Sequence, residues 1–256
     1  MRTMASERCA VRSISGTSVT LLGAGFIGLS FAAAFVDAGA TVTLIEPDAD
    51  RRACAVDGIA SQAEAIETAG LRRHGAGHLI VAETAAGIPD DCDLVLECGP
   101  ERLDIKQAIC ADLLTRTAPQ TILATASSAI PMSQIVPDPE QQARCLVAHP
   151  VNPPAVLRMI ELSPAPGTAA DTLSRAGALF RTLGFAPIPL GGEVEGFVLN
   201  RLQCAVLREA YRLVDEGLAT ATPIDTVMQM GLGPRWALSG PFETDDLNTT
   251  GGLQAP

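Results

Sequence analysis

Ser18-Val-Thr-Leu-Leu-Gly23-Ala-Gly25-Phe-Ile-Gly28 is followed by an apolar run from Leu29 to Ala38 and then by Thr41-Val-Thr-Leu-Ile45-Glu46. The order is strand, glycine turn, helix, strand. Val19, Leu21 and Leu22 form a short apolar run of the buried-strand kind. In the Gly-x-Gly-x-x-Gly spacing, Gly23 permits the tight turn, Gly25 lets the backbone approach a pyrophosphate, and Gly28 lets the helix pack closely on the strand. The helix opens at Phe26 and Ile27, where free N–H groups and the positive dipole end face the phosphates. Glu46 ends the second strand, 18 residues after Gly28. A carboxylate there accepts hydrogen bonds from a ribose diol and repels a 2′-phosphate, which favours NAD over NADP. Arg51 and Arg52 lie nearby and leave NADP open. In isolation the stretch also fits a turn whose glycines serve packing alone, and it does not separate NAD from FAD.

Beyond this unit the chain continues to alternate. Helix is expected over 49–69, a short strand over 78–81, and a strand in Asp93-Leu-Val-Leu-Glu-Cys98. An amphipathic helix over 103–117 and a strand over 121–126 follow, then strands over 144–149 and 158–162. A helix over 169–183 closes on Gly184, and a last strand runs over 185–190. Strands alternating with helices predict a Rossmann-type, doubly wound, mostly parallel sheet. Gly191-Gly192 marks a boundary, and the remainder reads as helix. The domains expected are a flexible arm over 1–17, a dinucleotide-binding domain over 18–191, and a smaller all-helical domain over 192–256. Within the last, 194–217 is apolar on most faces and is expected to be buried on several sides. Thr222-Pro223 reads as an N-cap with proline at the first helical position, and Gly251–Pro256 as disordered.

The chain has 256 residues, is 47% hydrophobic and carries a net charge of −11. That acidity argues against nucleic acid or an anionic membrane as partner. No apolar run has the length of a membrane span, and the N-terminal residues lack the apolar core of a secretory signal. The seven cysteines form no Cys-x-x-Cys pair, which fits reduced thiols and a cytoplasmic location. His74, His78 and His149 lack metal-ligand spacing, so no metal site is expected.

His149-Pro-Val-Asn-Pro-Pro154 ends one strand, and Glu161 lies in the next. Adjacent strands joined by that loop can set the carboxylate beside the imidazole. Such a partner fixes the tautomer and stabilises the cation that a general base becomes. The same spacing also fits a histidine buried at a strand end beside a solvated glutamate.

Three segments then carry a resemblance: 149–154, Glu195-Gly-Phe-Val-Leu-Asn-Arg-Leu-Gln203, and Gly231-Leu-Gly-Pro-Arg-Trp-Ala-Leu-Ser-Gly-Pro-Phe-Glu-Thr244. In their order and spacing the chain resembles the 3-hydroxyacyl-CoA dehydrogenase family, and within it the lambda-crystallin / L-gulonate 3-dehydrogenase branch. The resemblance implies NAD-dependent oxidation of the 3-hydroxyl of an L-3-hydroxy acid or acyl-CoA. It makes His149 the base, Glu161 its partner, and Asn200 a group polarising the substrate oxygen. Its catalytic serine maps to Ser128, with Ser127 as the neighbouring choice, although either could simply cap a following helix. Glu101 and Lys106 match the pair near the nicotinamide ribose, against the plainer reading of an exposed helix pair. It further implies a homodimer built on the C-terminal helices.

Two departures bear on substrate. The segment between Glu46 and Asp93 is shorter than in the family, where that excursion helps to hold CoA, and the chain ends soon after Asn248. A small free hydroxy acid is therefore favoured. Among rivals, a flavoprotein needs a second FAD-contacting motif, which we do not find. The sugar-nucleotide and 6-phosphogluconate dehydrogenases need a lysine near or after the domain boundary, and the sole lysine, Lys106, precedes it. A catalytically weak NAD-binding structural protein of lambda-crystallin type is the non-enzymatic alternative.

Overall fold

The computed structural model describes residues 16–248. The sequence expectations for the arm and for Gly251–Pro256 fall wholly or mainly outside them. Eight strands form one sheet: β1 (Ser18–Leu22), β2 (Thr41–Ile45), β3 (His78–Ala82), β4 (Leu94–Glu97), β5 (Ile122–Thr125), β6 (Cys145–Pro150), β7 (Met159–Pro164) and β8 (Ala186–Pro189). Their order is β3-β2-β1-β4-β5-β6-β7-β8. All neighbours are parallel except β6 and β7. The chain reverses its direction of travel across the sheet between β1 and β4, so the crevice at their C-terminal ends is the place where such sheets receive ligands.

Alternate residues of the central strands feed two apolar layers, as the two-residue period requires. Val19, Leu21, Leu44, Leu96 and Leu146 face one layer, with α1 (Phe26–Ala38), α2 (Ala49–Thr68) and α5 (Ala170–Thr182) packed there. Val95, Leu123 and Val147 face the other, against α3 (Leu103–Arg116) and α4 (Met132–Ile135). Phe31 and Phe35 of α1 are fully buried and stack near Phe180 and Phe185, with ring centroids 5.3–6.3 Å apart. β8 is one of the two edge strands and carries Pro187 and Pro189, which suits a position where few ladder donors are needed.

The chain divides into two compact units between Val198 and Leu199. The second contains most of α6 (Phe197–Asp215), then α7 (Ala221–Val227), α8 (Gly233–Leu238) and α9 (Pro241–Asn248). Three expectations are corrected here. α6 starts at Phe197 and not at Val194, because Gly196 and Phe197 both have positive φ, 74° and 50°, which keeps the approach out of the helical region. Phe197 is its only buried residue, so α6 is not buried on several sides. Arg201, Arg208, Glu209 and Arg212 occupy the faces expected to be covered. α7 starts after Thr220, not at the Thr222-Pro223 pair; Pro223 falls inside the first turn, where its missing N–H has no intrahelical partner to lose.

Candidate active site

The C-terminal ends of β1, β2, β4, β5 and β6 bring Gly23, Glu46, Glu97, Ser127 and His149 to one edge of the sheet. Gly23 has φ of 105°, and a Cβ there would lie 3.0 Å from the Cys98 carbonyl oxygen. A Cβ on Gly28 would overlap the Gly23 carbonyl oxygen, whereas one on Gly25 would meet nothing within 4 Å. Two glycines thus close the turn, and the third leaves an open approach to the backbone. α1 begins there with no side-chain cap and no acidic residue in its first turn, although Phe26 itself is exposed. That is the donor set and polarity a pyrophosphate requires.

Beside the turn is a cavity of about 900 Å³, lined by Gly23, Gly25, Glu46, Ala85 and Leu113 among others. Glu46 accepts from the backbone N–H of Ala24 at 2.8 Å and of Asp48 at 3.0 Å. The sequence-derived groups Gly23, Gly25, Phe26, Ile27, Gly28 and Glu46 therefore occupy one continuous region. Their chemistry fits a dinucleotide: an uncapped helix end for phosphates, an acid for a ribose diol, and apolar walls for a base.

A second cluster lies across β4 and β5. Lys106 and Glu97 are 1% and 0% exposed, with Nζ 2.7 Å from Oε2. Thr125, opposite Glu97 in the parallel register, donates to the same oxygen at 2.6 Å, and the Gly99 N–H donates to Oε1 at 2.6 Å. Glu101 precedes α3, so Glu101 and Lys106 are not an exposed helix pair; Lys106 Nζ is 3.5 Å from Glu101 Oε2. Glu101 Oε1 accepts from the Ser127 hydroxyl at 2.6 Å and from the N–H groups of Ser128 and Ala129 at 3.0 and 3.1 Å. Partial burial works to raise the Glu101 pKa. The Ser127 hydroxyl, Lys106 and the two N–H groups outweigh it and hold the carboxyl below its usual range. Burial, then the Glu97 charge, pushes the Cys98 thiol strongly up.

Glu97 and Thr125 were not singled out from the sequence. The available signal was a carboxylate in the apolar run Leu94-Val-Leu-Glu97, since a buried charge requires a partner and Lys106 is the only lysine. Neither serine caps α4, whose N-cap is Pro131. Ser127 is fully buried, and its oxygen accepts from the Ile130 N–H at 2.8 Å; Ser128 is exposed.

His149 and Glu161 are directly opposed in the antiparallel β6–β7 pair, with Nδ1 2.9 Å from Oε2. They are 5% and 2% exposed, so Glu161 is not solvated. Its other oxygen accepts from the Val198 N–H at 3.0 Å, in the first turn of α6. The Phe197 ring lies 5.1 Å from the imidazole. With Nδ1–H given to the carboxylate, Nε2 is the basic atom. Asn200 lies in the second unit, on α6.

The family model described as 3-hydroxyacyl-CoA dehydrogenase, NAD binding domain, matches residues 18–194, and that of the family's C-terminal domain matches residues 196–254. The chain belongs to the 3-hydroxyacyl-CoA dehydrogenase family. A lambda-crystallin homolog of Homo sapiens is 37% identical over 244 residues, covering 92% of this chain and 76% of the relative. An L-carnitine dehydrogenase of Streptomyces griseus is 34% identical over 227 residues, covering 88% and 68%. Among solved structures, the NAD+-dependent 5-formyl-3-hydroxy-2-methylpyridine 4-carboxylic acid 5-dehydrogenase has a TM-score of 0.84 at 27% identity, covering 91% of this chain and 76% of that one. This member of the family is an NAD-dependent oxidoreductase acting on 3-hydroxy substrates. Among the described residues, no helix is long and apolar enough to cross a membrane, and no cluster suits a metal ion.

Proposed function

We propose that the substrate is a small free L-3-hydroxy acid, oxidised to the 3-oxo acid with His149 as general base. The supporting observation is the buried 2.9 Å contact between His149 Nδ1 and Glu161 Oε2. It leaves Nε2 to take the hydroxyl proton, while the Glu161 charge stabilises the imidazolium that results. NAD, when bound, supplies the hydride acceptor. Asn200 and a serine hydroxyl stabilise the developing oxyanion. The sequence expectation for that hydroxyl is Ser128. Ser127 is the neighbouring choice, but its one hydroxyl proton already goes to Glu101 Oε1 at 2.6 Å, which favours keeping the role on Ser128. Glu101 and Lys106 hold the ribose at the nicotinamide end.

The path from Glu46 to Asp93 is short and contains one α-helix, α2, which leaves little surface for CoA. A relative named for L-carnitine, itself a small hydroxy acid, agrees with that preference. The functional division is residues 18–191 for the cofactor and 192–256 for substrate and self-association, and the active form is a cytoplasmic homodimer without nucleic-acid or membrane partners. A screen of NADH formation with 3-hydroxybutyrate, L-gulonate, carnitine and 3-hydroxybutyryl-CoA tests the reading. Catalytic efficiency should be highest on a free acid. A much higher value on the acyl-CoA reverses the substrate assignment, and NAD binding without turnover on any of them favours the structural-protein alternative.

A further inference from the structure

Glu46 is 4% exposed and lines the cavity beside Gly23 and Gly25. The Ala24 and Asp48 N–H groups hold its two oxygens in place, so it is a fixed charge at the end of β2. Arginines also stand around this cavity, and they are not equivalent. Arg116 is bound through Nε to both Asp112 oxygens at 2.6 Å. Arg52 donates to the carbonyl oxygens of Glu46 and Pro47 at 2.7 and 2.9 Å and reaches Glu83 at 3.3 Å. Arg51 gives only its backbone N–H, to Asp48 Oδ1 at 2.9 Å. Its side chain lines the cavity and has no hydrogen bond or ion pair among the described residues.

We propose that the Glu46 charge alone restricts this pocket to NAD, and that Arg51 is an unused 2′-phosphate anchor that makes the pocket competent for an NADP-type nucleotide once that charge is removed. The proposal rests on reading the cavity as the adenosine site. A guanidinium free of other partners can give a phosphate two parallel charge-assisted hydrogen bonds, which Arg52 and Arg116 cannot do without breaking existing ones. Asp48 and Asp50 also carry negative charge near Arg51, but both are exposed and neither lines the cavity, so solvent and salt screen them; Glu83 and Asp112 do line it, and their charges are offset by Arg52 at 3.3 Å and Arg116 at 2.6 Å. Glu46 is buried and has no such screening.

Titration calorimetry with 5′-AMP and 2′,5′-ADP isolates the adenosine half without requiring turnover. The wild-type protein should prefer 5′-AMP. E46Q should shift the preference toward 2′,5′-ADP by about tenfold or more, and adding R51A should reverse most of that shift with 5′-AMP affinity held within about twofold. An E46Q preference equal to wild type, or a shift that survives R51A, overturns the proposal. Failure of 5′-AMP to bind the wild-type protein would instead overturn the cavity assignment, which is a separate result. Should E46Q lose its native circular dichroism, R51A alone decides the question. It should weaken the residual 2′,5′-ADP affinity about fivefold and spare 5′-AMP, and no change refutes the role of Arg51.

Discussion

His149 and Glu161 face each other across the antiparallel β6–β7 pair, and the Glu161 carboxylate joins the imidazole to the first turn of α6 through the Val198 N–H. One buried carboxylate thus serves two donors, one with each oxygen. Glutamine offers only one acceptor oxygen and adds donors, so it cannot serve both. His149→Ala should lower kcat by roughly 10²–10⁴, the usual range for a lost general base. NAD affinity, measured by calorimetry, should stay near wild type, since His149 is not among the residues lining the cofactor cavity. Glu161→Gln should lower both kcat and the melting temperature. Near-normal turnover in His149→Ala places the base elsewhere.

The three glycines of the turn separate folding from binding. A Cβ at Gly28 would strike the Gly23 carbonyl oxygen, which is backbone and cannot yield, so Gly28→Ala should destabilise the fold. A Cβ at Gly25 meets nothing within 4 Å, so Gly25→Ala should melt within a degree or two of wild type, as expected for a substitution without a clash. It should nevertheless weaken NAD about tenfold or more, because the methyl occupies the approach of the pyrophosphate. Equal NAD affinity in Gly25→Ala and wild type would show that the glycine turn is structural only.

The dinucleotide turn, the alternation of strands and helices and the His149–Glu161 pairing were legible because each depends on local pattern. Strict glycine spacing, apolar runs of strand length and a short proline loop between strands leave few arrangements. Glu97 was not legible, since its role depends on Thr125 from a strand that follows a whole helix later, and on a lysine one turn into α3. The start of α6 was misplaced for a different reason: Phe197 adopts a positive φ that a large side chain ordinarily avoids, and nothing in the sequence announces it. The choice between Ser127 and Ser128 turns on the Ser127–Glu101 hydrogen bond, a contact that sequence separation alone does not reveal.

Ser127 and Glu101 give a pH-dependent test. Glu101 is held below the ordinary glutamate pKa of about 4.3. A depressed carboxyl binds fewer protons folded than unfolded, so its stabilisation is complete above about pH 4.3 and is lost as pH falls through the lower folded value. Ser127→Ala removes one donor and should bring the folded value back toward the unfolded one. The melting-temperature gap between wild type and Ser127→Ala should therefore be widest near neutrality and narrow in acid. Ser128→Ala should lower kcat more than Ser127→Ala, and the reverse order assigns the hydroxyl role to Ser127.

The thiols divide by burial. Burial raises the pKa of Cys92 and Cys98, and pushes Cys110 up to about 12 and Cys145 to about 11. Cys54 is exposed. Because the thiolate is the reactive form, an aromatic disulfide reagent at pH 7.5 should label Cys54 within minutes and leave those four unmodified until denaturant is added. Peptide mapping after a brief exposure reads this directly. Modification of Cys110 or Cys145 in the native protein would contradict their burial.

The second unit carries the proposal of a homodimer. Leu202, Tyr211 and Leu218 are 58–69% exposed on and just after α6, and Met230, Leu238 and Phe242 are 79–90% exposed beyond it. An apolar set of this size in one unit marks an interaction surface. A second copy is the simplest partner, because an isologous contact buries the same residues on both sides. Tyr211→Glu together with Leu202→Glu should put like charges on both sides of a self-contact and shift the species seen by light scattering from dimer to monomer. The separated subunits should melt at a lower temperature, and the wild-type melting temperature should rise with protein concentration, as mass action requires of a folded dimer. NAD affinity should survive in the double variant, since the cofactor groups belong to the first unit. A well-behaved wild-type monomer at micromolar concentration refutes the self-association and leaves that surface to a different partner.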